Sequence, residues 1–89
     1  MSKISFSNRA WGEYCYWQTQ DKKTLKRINI LLQDILRNSY SGIGKPEPLK
    51  GQQHGLWSRR ITDEHRLVYS ISDGMIYVYV LALRYHYKK

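Results

Sequence analysis

Residues 45–50 read KPEPLK and residues 84–87 read RYHY. The first stretch sets one carboxylate, Glu47, between Pro46 and Pro48, with a lysine on each side. The second sets an imidazole, His86, between two tyrosines and close to Arg84. Lys50, Arg60 and Arg66 lie between them in sequence. Cleaving RNA without a metal needs few groups. A general base takes the 2′-hydroxyl proton, a general acid protonates the leaving 5′-oxygen, and cations stabilise the charge that grows on the phosphoryl oxygens. RNA carries its own nucleophile, so no activated serine or cysteine is required. Glu47, His86, Arg60, Arg66 and Lys50 suffice for this chemistry. The same residues also suit an RNA-binding module that performs no reaction, because guanidinium groups bind phosphate and aromatic rings stack on bases. The residue types leave both readings open.

The two prolines favour a positioned acid. A salt-bridge partner needs no stiff loop, whereas a general base must sit within hydrogen-bond reach of one hydroxyl. Proline also reduces the states the loop gives up on ordering. The flanking lysines suit phosphate, yet nearby cations favour the charged carboxylate and weaken it as a base. Metal chemistry has little support. His54, His65, His86 and the lone Cys15 show no zinc spacing, and the acids are too scattered for a two-metal site. No metal and no cofactor are expected. His65 reads as a structural residue at a strand end and His54 as a solvated loop residue.

Positioning these groups falls to a short series of elements. KISF at 3–6 alternates like a strand. Ser7 is a natural N-cap for a helix to about Gln20. Trp11, Tyr14, Cys15 and Gln18 share a stripe on it, which predicts Cys15 in the core. Asp21 caps a second helix, on which Leu25, Ile28, Leu32, Ile35 and Leu36 line one side. Residues 38–55 carry four glycines and two prolines and read as one long irregular loop. Three strand-like runs follow, at 56–62, 64–72 and 75–87, with a short turn near Thr62-Asp63 and an Asp-Gly hairpin signal at 72–74. The last run is apolar on both faces through Leu83, as in a central, covered strand. The order β–α–α–loop–β–β–β predicts a single α+β domain over residues 1–89, with two helices on one face of a mostly antiparallel sheet and the other face open to a ligand. Alternation sets Ser58, Arg60 and Thr62 opposite Trp57, Arg59 and Ile61, and turns Arg66 away from Leu67, Tyr69 and Ile71. Arg59 and Arg84 join Lys50 and Arg60 as candidate phosphate contacts.

Composition agrees with such a domain. The chain has 89 residues, 42% of them hydrophobic, with eight tyrosines and three tryptophans. Its 15 basic and 7 acidic residues give a net charge of +8, spread over both halves. A folded body of this charge attracts polyanions, although charge of this size also serves solubility. One cysteine allows no internal disulfide, no signal-peptide pattern is present, and residues 75–83, the longest apolar run, are too short to span a bilayer. A reduced cytoplasmic protein without a membrane partner is expected.

Four stretches, YWQTQDKK (16–23), GKPEPLK (44–50), GLWSRRITDEHRLVY (55–69) and RYHY (84–87), together resemble the YoeB (Txe) family of bacterial toxins within the RelE-like superfamily. The resemblance covers nearly the whole chain. It implies a microbial-ribonuclease-type α+β fold and a toxin of a type II toxin–antitoxin pair. Such a toxin cleaves mRNA in the A site of the 30S ribosomal subunit and arrests translation. It also implies neutralisation by a YefM (Phd-like) antitoxin, contact with DNA only through the antitoxin complex, and a capacity to form homodimers. Residue by residue, it makes Glu47 the general base, His86 the general acid and Arg66 the stabiliser of the scissile phosphate. Tyr87 becomes an orienting residue, and Lys50 and Arg60 supporting phosphate contacts. Family members commonly end at or near that tyrosine. Here Lys88 and Lys89 follow, so no role is expected for a carboxylate on Tyr87. A non-catalytic ribosome- or RNA-binding regulator is the alternative, and a module that only binds an acidic partner is a third reading.

Overall fold

The computed structural model describes residues 3–51, 55–72 and 77–85. Strand β1 (Lys3–Phe6) leads into helix α1 (Asn8–Gln20) and helix α2 (Lys22–Arg37); strands β2 (Glu47–Pro48), β3 (Trp57–Arg60), β4 (Arg66–Ser72) and β5 (Tyr77–Ala82) follow. Both predicted caps form. Ser7 Oγ accepts from the Ala10 N–H at 3.0 Å. Asp21 Oδ1 accepts from the Lys23 N–H at 3.0 Å, and its Oδ2 accepts from the Thr24 hydroxyl at 2.8 Å. The Thr24 hydrogen bond holds the Asp21 carboxyl below its usual range, with the Lys23 and Thr24 N–H groups adding to it against partial desolvation. These contacts satisfy the orphan N–H groups of a helix start.

The five strands form one sheet in the order β1-β5-β4-β3-β2. Every pairing is antiparallel except β1 with β5. The two helices and the sheet enclose a core that includes Ala10, Trp17, Ile28, Leu31, Ile35, Leu67, Tyr69, Val80 and Leu83. This is the expected α+β architecture. The strand β5 is central, as its apolar run predicts, but its uncovered face leaves Tyr79 37% exposed. The register between β4 and β5 slips by one residue, from Tyr69↔Val80 to Val68↔Ala82. Such an irregularity re-aims the strand that follows. The Asp73-Gly74 turn lies outside the described residues.

Two expectations change. The stripe predicted for α1 is displaced by one position. Ala10 and Trp17 are buried, whereas Trp11, Cys15 and Gln18 are exposed. Ala10 lets the helix approach the sheet, and the Trp17 indole reaches across to donate to the Leu83 carbonyl at 3.0 Å. Trp11 instead stacks outside on Tyr14, with ring centroids 5.9 Å apart. Cys15 is therefore a surface residue and not part of the core. The second change concerns residues 38–55, which are not wholly irregular. Glu47 and Pro48 pair with Ser58 and Trp57 of β3 as a two-residue edge strand. A proline is tolerated at an edge because no further strand requires its missing N–H.

Candidate functional site

Cross-strand register assembles the site. Glu47 faces Ser58, Ser58 faces Val68, and Val68 faces Ala82. Two pairs further along, Arg60 faces Arg66. Successive side chains alternate across a sheet, so Glu47, Ser58, Arg60 and Arg66 share the face turned away from the helices. Ser58, Val68 and Ala82 form a row of small side chains on that face.

Glu47 and Arg66 meet directly. Arg66 Nη1 donates to Glu47 Oε1 at 3.1 Å. The Glu47 side chain is 57% exposed and that of Arg66 only 17%, so the carboxylate faces solvent and the guanidinium is seated against the sheet. Beside them, Arg60 reaches Asp63 at 4.0 Å, the outer limit of an ion pair. Its Nε is buried and has no hydrogen-bond partner among the described residues. Lys50 is exposed just beyond β2.

Other candidates are placed differently. Arg84 stacks its guanidinium over the Tyr16 ring of α1, 3.8 Å from the centroid, and its Nη2 lies 3.3 Å from the Tyr85 hydroxyl. Its Nε is likewise buried without a partner among the described residues. His86, Tyr87, Lys88 and Lys89 lie outside the described residues, as does His54.

Arg59 is not a phosphate contact. It is fully buried on the helix side of β3. Its guanidinium donates to Asp34 Oδ2 at 2.5 Å, to the Ser41 carbonyl at 2.8 Å, to the Ile43 carbonyl at 3.2 Å and to the Asn38 carbonyl. Its Nε reaches the Tyr69 hydroxyl at 3.2 Å, and that hydroxyl donates to the Ser39 carbonyl at 2.8 Å. A buried charge is tolerated only when paired and hydrogen-bonded, and the carbonyls of residues 38–43 satisfy this one. Arg59 thus ties the start of the long loop to α2 and the sheet. Burial pushes the Asp34 carboxyl up, but the Arg59 hydrogen bond and charge and the Ile43 N–H outweigh it and hold the carboxyl below its usual range. Burial also raises the Tyr69 hydroxyl above its ordinary value, against the influence of Arg59. The signal for Arg59 was present in the sequence, since alternation places it with Trp57 and Ile61 on the apolar side.

The same loop then turns sharply into β2. Gly44, at φ 81°, accepts from the Arg60 N–H at 2.7 Å, and a Cβ there would come 2.8 Å from Leu31 Cδ2. Lys45 follows at φ 52°, a strained value for a residue with a side chain. Glu47 is therefore held by a docked loop on one side and by the β3 pairing on the other. No group of three or more His, Cys, Asp or Glu able to hold a metal occurs among the described residues.

The model of the YoeB-like toxins of bacterial type II toxin–antitoxin systems matches residues 6–87. Toxin YoeB of Escherichia coli K12 is 49% identical over 85 residues, covering 96% of this chain and 99% of that one. The YoeB dimer from Staphylococcus aureus superposes with a TM-score of 0.87 at 47% identity, over 97% of this chain and 98% of that one. The heterotetrameric YoeB–YefM toxin–antitoxin complex from the same organism gives a TM-score of 0.87 at 46% identity, over 98% and 99% of the two chains. With a family model spanning nearly all of its length, the chain belongs to the YoeB-like toxins of bacterial type II toxin–antitoxin systems.

Proposed function

We propose that this toxin is a ribosome-dependent mRNA endoribonuclease working by metal-independent general acid–base catalysis. The observation that carries the reading is the exposed Glu47 carboxylate held 3.1 Å from Arg66 on the open face of the sheet. An arriving phosphate competes for the Arg66 guanidinium, which still has further N–H donors to offer. The freed Glu47 takes the 2′-hydroxyl proton. The 2′-oxygen attacks phosphorus, the bond to the 5′-oxygen breaks, and protonated His86 gives its proton to that oxygen. The products are a 2′,3′-cyclic phosphate and a 5′-hydroxyl. Arg66 stabilises the charge on the phosphoryl oxygens. Tyr87 orients the reacting groups, while Lys50, Arg60 and Arg84 bind phosphate. Cleavage takes place on the mRNA in the 30S A site, in the cytoplasm, and arrests translation.

The partners follow from the relatives. The S. aureus protein is found with YefM and as a dimer. A YefM-like antitoxin neutralises this chain, it forms homodimers when free, and it meets DNA only through the antitoxin complex. No cofactor takes part.

A second reading rests on the same ion pair. In a non-catalytic ribosome-binding regulator, Glu47 would serve only to fix Arg66. Inducible expression with mapping of mRNA 5′ ends on ribosomes separates the two. Cleavage by the wild type, lost in Glu47→Gln and in His86→Gln with the fold intact, supports the catalytic reading. Ribosome binding with uncut mRNA, or full activity in both variants, overturns it.

A further inference from the structure

Past the last β4–β5 pair at Ala82, every backbone polar group of Leu83 and Tyr85 is held. Glu13 Oε1 accepts from the Leu83 N–H at 2.7 Å, and Trp17 Nε1 donates to the Leu83 carbonyl at 3.0 Å. The Tyr85 carbonyl accepts from the Arg66 N–H at 3.1 Å. The Tyr85 N–H donates to Nδ1 of His65 at 2.8 Å. Tyr85 is bent to φ 54°, a left-handed conformation that a tyrosine does not hold unaided. The next residue is His86.

His65 is built for this contact. It is 8% exposed, packed edge-on against Trp17 with centroids 4.9 Å apart and tilted against the Tyr85 ring at 4.8 Å. Its own N–H donates to the Thr62 hydroxyl, and its carbonyl accepts from Ile61 and Thr62. Because Nδ1 accepts a hydrogen bond, the imidazole proton resides on Nε2, which lies 3.2 Å from Glu64 Oε1.

We propose that His65 is a positioning residue. Its neutral imidazole clamps Tyr85 in the left-handed turn and so sets where the chain delivers His86. This rests on the reading of His86 as general acid. The clamp uses Arg66 twice, since its side chain holds Glu47 while its N–H holds Tyr85. One residue therefore ties the placement of the base to that of the acid.

The test compares three variants in single-turnover cleavage of mRNA on programmed ribosomes, with amide exchange at Tyr85 as a readout independent of activity. His65→Phe keeps the ring and removes the acceptor. His65→Gln places its polar group where Nε2 stands, so it also leaves Tyr85 without an acceptor and serves should the phenylalanine variant not fold. His65→Asn loses the ring but places an acceptor where Nδ1 stands. The phenylalanine and glutamine variants lose about 10- to 100-fold in kcat, with the half-saturating ribosome concentration unchanged and the Tyr85 amide exchanging freely. The asparagine variant recovers most of both. Wild-type kcat and a protected Tyr85 amide in His65→Phe or His65→Gln, or an equal loss in all three, overturn the clamp while leaving the acid–base reading intact. A wild type that cuts no mRNA overturns that reading, and the purpose of the clamp with it.

Discussion

Arg66 and Glu47 form an ion pair across the edge of the sheet, with Arg66 Nη1 3.1 Å from Glu47 Oε1. The pair joins residues from different strands, β4 and β2, that do not adjoin in the sheet. Between them, β3 sets Ser58 opposite Glu47 and Arg60 opposite Arg66. The strength of the ion pair as a structural bond is modest because Glu47 is more than half exposed. In the proposed mechanism it keeps two oppositely charged groups within reach of one phosphate.

Arg66→Lys preserves the charge and removes the fork. A planar guanidinium can pass from Glu47 to a phosphate and bind it with several N–H donors, whereas a lysine ammonium is a point charge. The variant should retain its melting temperature within a few degrees and lose about 10²-fold or more in single-turnover cleavage on ribosomes. Cleavage within about twofold of wild type would remove Arg66 from the role assigned to it.

The Arg59–Asp34 pair predicts a pH-dependent stability. Asp34 is held below its usual value of 3.8 in the folded chain, so its charged form stabilises the fold. That contribution is complete above the unfolded value and is lost as pH falls through the lower, folded one. Asp34→Asn should therefore lower the melting temperature by on the order of 10 °C near neutral pH. The difference from wild type should shrink as pH falls below the unfolded value of 3.8 and vanish once the folded carboxyl is also protonated. Calorimetry across that range measures it; a difference independent of pH would show that the Asp34 charge is not what matters.

The two tryptophans of α1 should behave oppositely. Trp17 is 6% exposed, lies in the core and bonds to Leu83, whereas Trp11 is 53% exposed. Trp17→Ala should cost about 3–5 kcal/mol in urea unfolding. Trp11→Ala should cost about 0.5–1.5 kcal/mol, the worth of its stacking on Tyr14. Equal losses would contradict the observed rotation of the helix.

Local rules carried much of this fold. Ser7 and Asp21 start both helices where their capping chemistry demands, because a cap acts on the next turn of its own chain. The strand runs were legible from alternation, and KPEPLK stood out because two prolines around one acid have no other local use. Glu47, Arg60 and Arg66 could be chosen from residue type alone. Contacts distant in sequence could not. The rotation of α1 depends on Ala10 and Trp17 meeting β5, so a stripe reading that favours Cys15 is a near miss that local sequence cannot correct. Alternation sets Arg59 and Arg60 on opposite faces, but only the tertiary structure supplies the Asp34 carboxylate and the loop carbonyls that make Arg59 an internal anchor. His65 acquires its role because the chain returns, twenty positions later, to place the Tyr85 N–H against Nδ1. By itself the sequence determined which elements form and which residue types are on hand for acid–base chemistry, since propensity, capping and alternation act over a few neighbours. Only the tertiary structure decided what partners bury Arg59 and what holds the site in place, since those depend on desolvation and hydrogen-bond partners supplied by distant segments.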